Sequence, residues 1–197
     1  MVFGHSENEM SIKGLIKRNR SHRRFFEHIP VKRKILERLV DLARFSASAL
    51  NKQPLKYFLS YHKDSNDLIF SNIIWAGGDW VGPIDGERPP AYIIILMDKE
   101  ISRYCDCEAG IAAQNILLGA TEMELNGCIL GPVNREELRK SLEIKEKFGI
   151  LFILAIGKPK KEVILEKASK NGNLIYWQDK QGNFHVPKRN LKDIIIN

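Results

Sequence analysis

Between Cys107 and Leu125, apolar residues fall on almost every face of a helical wheel. Ala109, Ala112, Ala113, Ile116, Leu117 and Ala120 keep the i, i+3, i+4 spacing of a buried stripe, and Ile111, Leu118 and Leu125 occupy other faces. A helix of that kind is central to a fold or sits in a subunit interface. Its alanines and glycines let another helix approach closely. Gly127 reads as its terminator.

The rest of the chain supplies strands and helices to pack around it. Ser11 to Asn19 carries Ile12, Leu15 and Ile16 on one side, and Val31 to Phe45 repeats Ile35, Leu39 and Leu42 at helical spacing behind Pro30. Leu55 to Tyr61, Ala91 to Met97 and Cys128 to Leu130 read as strands. Ile150 to Ile156 reads as a central strand stopped by Gly157-Lys158-Pro159. Asn134 is placed to cap a short helix, Arg135 to Leu142. From about Asp64 to Pro90, the density of glycine and proline, with Trp75 and Trp80, suggests a structured loop beside a site. The tail is polar until Leu191 to Ile196, a β-prone run expected to add to a sheet, here or in a partner subunit. Without strict alternation of strand and helix the class is α+β, and 197 residues favour one domain, with a C-terminal arm from about residue 170.

Bulk properties narrow the function. Hydrophobic residues at 44% and charged residues at 28% exclude a disordered chain. No apolar run is long enough to span a bilayer, and the first ten residues lack the apolar core of an export signal, so a cytoplasmic protein is expected. Three cysteines, Cys105, Cys107 and Cys128, without C-x-x-C spacing, read as reduced thiols, with no metal expected. The net charge of +7 attracts an anion: nucleic acid, an acidic membrane face or a phosphorylated cofactor.

Four segments are equipped for chemistry. Lys17 to Arg24 crowds five fixed charges around Ser21, and guanidinium groups bind phosphate through paired charge-assisted hydrogen bonds. Ser46 to Pro54 offers hydroxyl, amide and backbone donors suited to the polar edge of a flat ring. Gly127 to Val133 lets backbone approach a ligand closely. His185 to Arg189 is a second basic cluster, in which His185 is better read as structural than as a general acid. Dinucleotide, Walker, nucleophile-elbow and zinc-protease motifs are missing, and Asp106 and Glu108 lack an acid–base partner. A bound organic cofactor would then carry any difficult chemistry.

Taken in order, these segments resemble the nitroreductase family of FMN flavoproteins. Arg20-Ser21-His22-Arg23 is similar to the family's Arg-Ser-x-Arg motif, with Phe25 and Pro30-Val31 behind it. Ala47 to Pro54 is similar to its Pro-Ser-x-x-Asn-x-Gln-Pro loop, Ala112 to Leu118 to its central helix, and Gly127 to Pro132 to the turn that follows. Lys188-Arg189 resembles its C-terminal phosphate clamp, while Trp75-Ala76-Gly77 and Tyr176-Trp177 with His185 to Arg189 resemble one branch. Three departures stand out: Asn19 where many members have a second arginine, Ala47 for proline, and Leu55 for an aromatic residue. The first leaves open which guanidinium takes the phosphate.

The resemblance implies an α+β sandwich with a mainly antiparallel sheet flanked by helices, an interlocked homodimer with exchanged C-terminal segments, and FMN at the interface. Arg20, Ser21, Lys188 and Arg189 would hold the phosphate. Ser48, Asn51 and Gln53 would meet the ring edge, in part across the interface, and backbone at Leu130-Gly131 would approach the ring. Arg23 would place positive charge near flavin N1. The implied reaction is hydride transfer from NADPH or NADH to flavin N5, then reduction of a small acceptor such as a nitroaromatic or quinone in the same pocket, with no protein residue as certain catalyst. Trp75, Trp80 and Trp177 could line the acceptor side or belong to the core. The other classes are a flavin-binding protein that uses no nicotinamide and a basic nucleic-acid module, which no sequence motif supports.

Overall fold

The computed structural model describes residues 11–75, 82–169 and 173–197. Ala76, Gly77 and Trp80, singled out above, lie outside them. The chain divides into two compact units, up to Pro159 and Lys160–Asn197. The second begins before the arm expected from about residue 170, because residues from Val163 pair with Phe184–Lys188.

The first unit opens with α1 (Ile12–Arg18), whose N-cap Ser11 accepts from the Gly14 N–H at 3.1 Å, and α2 (Arg33–Arg44). Then come β1 (Leu55–Ser60), α3 (Lys63–Ser71), β2 (Ala91–Asp98), α4 (Asp106–Glu122), β3 (Asn126–Leu130), α5 (Arg135–Ser141) and β4 (Phe148–Gly157). The four strands form one antiparallel sheet in the order β1-β2-β4-β3. Thus β2 and β4 are central, which is why both are almost wholly aliphatic.

Alternation along β2 assigns the two layers. Ala91, Ile93 and Ile95 pack with Leu36 and Leu39 of α2 and the alanines of α4, whereas Tyr92, Ile94 and Leu96 pack with Phe25, Ile69 and Leu138 on the other face. Each fully buried aliphatic side chain contributes about 1.5–3 kcal/mol. The sheet is therefore sandwiched between helices, as expected of an α+β sandwich.

Three local expectations are corrected. Residues 63–71 are helical, not loop: their Asp, Ser and Asn content hides a helix that buries only Ile69. Gly127 does not end α4. The left-handed position is taken by Glu124, at φ 58°, after the C-cap Met123, and Gly127 lies inside β3. A Cβ on Gly127 would come within 2.1 Å of the Ala155 carbonyl oxygen. Asn134 occupies the N-cap of α5 but makes no capping bond through its side chain.

In the second unit, β5 (Val163–Lys167) runs parallel to β7 (Phe184–Lys188), and β6 (Trp177–Gln178) pairs antiparallel on the other side of β7. Being short and only half-buried, these strands carry little apolar pattern, so their sequence reads as polar tail. The β-prone end forms no strand within the chain: Leu191–Asp193 is a 3-10 turn closed by the Asn190 side-chain amide donating to Asp193 Oδ2 at 3.0 Å. Ile194 to Ile196 are exposed.

Gly127→Ala should lower the melting temperature by several degrees, a loss of about 1–3 kcal/mol from forced backbone movement. Gly131→Ala, with nothing within 4 Å of its built Cβ, should stay within about 0.5 kcal/mol of the parent. Thermal unfolding of the two variants side by side checks this.

Candidate functional site

The basic run at 17–24 does not form one patch. Arg18 donates to Glu124 Oε1 at 2.6 Å and to the Thr121 carbonyl at 3.4 Å, and Arg24 faces Glu87 Oε2 at 3.4 Å. Arg20 sits between them, half-buried. Its Nη2 donates to the Ile16 carbonyl at 2.8 Å, but its Nε is buried with no partner. Burial holds the Arg20 guanidinium below its ordinary pKa, though it remains a cation. Arg23 is exposed, and its charge opposes the burial that pushes the Cys128 thiol up to about 12.

Backbone pairing explains these positions. Ser21 bridges Gly127 in parallel, with the His22 N–H on the Gly127 carbonyl at 3.0 Å, so residues 20–23 start along the free edge of β3. The opening of β3 lies beside Arg20 and Ser21, and Arg23 lies near Cys128. Leu130 and Gly131 follow about 10 and about 13 Å beyond Gly127, three and four residues along extended chain. Leu130 is buried, and the space before Gly131 is open. Arg135 fixes this end, donating to the carbonyls of Gly131, Ile150 and Leu151 at 3.0, 3.0 and 2.8 Å.

Ser48, Asn51 and Gln53 gather in the loop before β1. The Ser48 hydroxyl accepts from the Gln53 N–H at 2.9 Å, and the Gln53 amide donates to Asn51 Oδ1 at 3.1 Å. Leu50, Asn51 and Gln53 all have φ near +50°, a conformation that costs a non-glycine residue roughly 1–2 kcal/mol. The loop flanks a cavity of about 320 Å³ that also touches Tyr57 and Glu108. Glu108 Oε1 accepts from the Ala49 N–H at 3.1 Å, and Asn115 donates to Ser46 Oγ at 2.9 Å. Glu108, which had no acid–base partner in the sequence, is thus a loop anchor; only its place facing the loop, invisible in one dimension, reveals this.

Within one chain these groups are kept apart. The loop is pinned to α4 at Glu108 and the Arg20 region at Thr121, about 20 Å along the helix. They also lie at opposite edges of the sheet, β1 and β3.

Lys188 and Arg189 are exposed at the end of β7 in the second unit. There His185 is held between two carboxylates, with Nδ1 2.7 Å from Glu166 Oε1 and Nε2 3.4 Å from Asp179 Oδ2, and its ring stacks on Trp177 at 3.9 Å. That is a structural arrangement. Trp75 packs against the core beside Phe70, their ring centroids 5.5 Å apart.

A model of the nitroreductase family matches residues 86–158. An FMN-dependent nitroreductase of Clostridium difficile superposes with a TM-score of 0.66 at 22% identity, covering 77% of this chain and 89% of the other. A nitroreductase family protein of Streptococcus pneumoniae gives 0.65 at 17%, covering 81% and 95%. The NADPH:FMN oxidoreductase of Vibrio harveyi gives 0.59 at 19%, covering 75% and 68%. No curated protein matches in sequence. The chain has the nitroreductase fold. Resemblance to that family is thus met both by the family model and by architecture. The matched residues of this nitroreductase-like chain take in Ala112 to Leu118 and Gly127 to Pro132, while the Arg20 and Ser48 motifs lie before them.

Hydrogen bonding of its ring to the Glu166 carboxylate raises the His185 pKa against burial, with Asp179 adding to it. Burial works against the Asp179 charge, yet its bonds from Asn183 and His185 hold that carboxyl low. His185 therefore stabilises the second unit fully below about pH 6.5, its unfolded value, and the contribution is lost as pH rises through the raised folded value. An NMR titration should place His185 above 6.5. Protection of the β7 amides, taken relative to their intrinsic base-catalysed exchange, should fall above that point in the parent protein and lose this pH dependence in His185→Gln.

Proposed function

We propose that this chain is an FMN-dependent oxidoreductase that takes hydride from NADPH or NADH and passes it to a small acceptor such as a nitroaromatic or quinone, in alternating half-reactions. The observation that carries this is the β3 edge: a half-buried guanidinium with an unanswered Nε at one end, an open glycine at the other, and Arg23 between. The order matches the parts of the cofactor. A phosphate would meet Arg20 and Ser21, and a ring would reach the backbone of Leu130-Gly131. FMN, when bound, supplies the centre that accepts and donates hydride.

The residues present fit that group. Arg20 offers a donor that lacks an acceptor, and an anion there restores what burial removed. Arg23 adds positive charge beside the ring, which favours its anionic reduced form. Ser48, Asn51 and Gln53, about 20 Å along α4 from the phosphate end, are supplied to each site from a second copy of the chain. Lys188 and Arg189, in the C-terminal unit, are assigned to the phosphate by resemblance.

The first test is the visible spectrum of the purified protein, recorded anaerobically before and after NADPH and then NADH. A flavin spectrum that bleaches supports the enzyme and chooses its donor. One that persists favours a flavin protein that uses no nicotinamide, and a colourless protein that takes up no FMN overturns the reading. Arg20→Ala should weaken FMN binding roughly 10- to 100-fold, as loss of a charged hydrogen bond does, with the fold retained. Fluorescence titration with FMN checks this, and Lys188→Ala, measured the same way, tests the C-terminal contribution separately.

A further inference from the structure

Tyr92 is the only residue of the buried run 91–96 with a polar side-chain atom. It is fully buried among Phe25, Ile69 and Ile94, and its hydroxyl has no hydrogen-bond partner. Packing alone would be served by phenylalanine. Four residues earlier, Arg88 repeats the pattern. Its Nη2 lies 2.6 Å from Asp85 and its Nη1 3.9 Å from Asp67, and its guanidinium covers the Phe70 ring at 4.4 Å, but its Nε is buried and unanswered. Buried donors of this kind are rare in native proteins and call for an acceptor.

Both side chains line a single cavity of about 250 Å³, walled by α3, the segment around Pro30 and the prolines before β2. None of its residues belongs to the set assigned to FMN. Charge inside it is already balanced. Lys63 pairs with Asp67, and Glu27 accepts from the N–H groups of Gly86 and Arg88 at 2.7 and 3.1 Å. Two cations face two carboxylates along the lining, and the exposed Asp85, not part of it, adds a third carboxylate to Arg88. A further anion would be buried without a free countercharge, at high cost. A neutral oxygen would not. Burial also holds the Tyr92 hydroxyl well above its ordinary pKa, so it stays a neutral donor.

We propose that this cavity binds a small, flat, neutral molecule through a carbonyl or amide oxygen that accepts from the Tyr92 hydroxyl and Arg88 Nε–H, its body lying against the proline walls. The site is separate from the flavin site and does not depend on that assignment.

The test is an NMR titration of the full chain, with FMN supplied, using benzamide and its isosteric anion benzoate as probes. Benzamide should give saturable shifts centred on residues 27–30, 63–70 and 88–92, and benzoate should bind at least tenfold more weakly. Tyr92→Phe should weaken benzamide at least tenfold, leave FMN binding unchanged, and melt no lower than the parent, because it removes only an unpaired hydroxyl. Three results would overturn the proposal: no benzamide binding, meaning that the cavity holds water only; equal binding of benzoate; or benzamide binding indifferent to Tyr92→Phe. Shifts at Tyr92 in a protein that takes up no FMN would uphold this site while the flavin reading fell.

Discussion

Everything in the first unit hangs on the seating of α4 against the β2–β4 pair and α2. Gly119 makes that approach possible: a Cβ there would come within 2.3 Å of a Leu42 methyl and 3.2 Å of a Leu39 methyl. With alanines at 109, 112, 113 and 120 beside it, the helix lies close enough to bury Ile116 completely. Its two ends then fix two distant pieces of chain. Glu108 and Asn115 hold the 46–54 loop, and Thr121 with Glu124 holds Arg18 and hence the start of the β3-edge segment. The spacing of these two segments is therefore a property of one helix, and it needs no separate explanation.

That anchoring also accounts for the strained loop. Leu50 is 88% exposed, so no packing repays its left-handed conformation. The hydrogen bonds from Gln53 to Ser48 and Asn51, and from Ala49 to Glu108, hold the backbone there instead. Strain kept on an exposed loop by side-chain bonds is characteristic of surfaces shaped for something other than the chain's own stability.

What could be read in one dimension followed burial. β2, β4 and α4 are long, apolar and regular, and their periodicity placed them within a few residues. The helix at 63–71 and strands β5, β6 and β7 bury little, so their patterns are weak: in α3 only Ile69 is fully covered, and β6 is two exposed residues long. At Gly127 the sequence is ambiguous, because a glycine after a helix serves a cap or a close approach equally well, and only the Ala155 carbonyl distinguishes them. In the candidate site, residue types were legible and partners were not. Ser48, Asn51 and Gln53 advertise hydrogen bonding in sequence, but the roles of Glu108 and Arg135 arise from contacts between residues far apart in the chain.

The basic run shows most clearly how three dimensions revise a charge count. A surface that binds a nucleic-acid backbone presents several solvent-facing cations side by side. Here Arg18 is tied to Glu124 and Thr121, and Arg24 faces the buried Glu87. Arg20 turns inward with an unmet donor, while Arg23 remains outward beside Cys128. Four arginines within seven residues thus meet four different environments, and only one is both sheltered and short of an acceptor. A single sheltered donor is a poor grip on a polymer of phosphates and a good one on a single phosphate group. The burial of one guanidinium, rather than the sum of +7, is what favours a small phosphorylated ligand over nucleic acid.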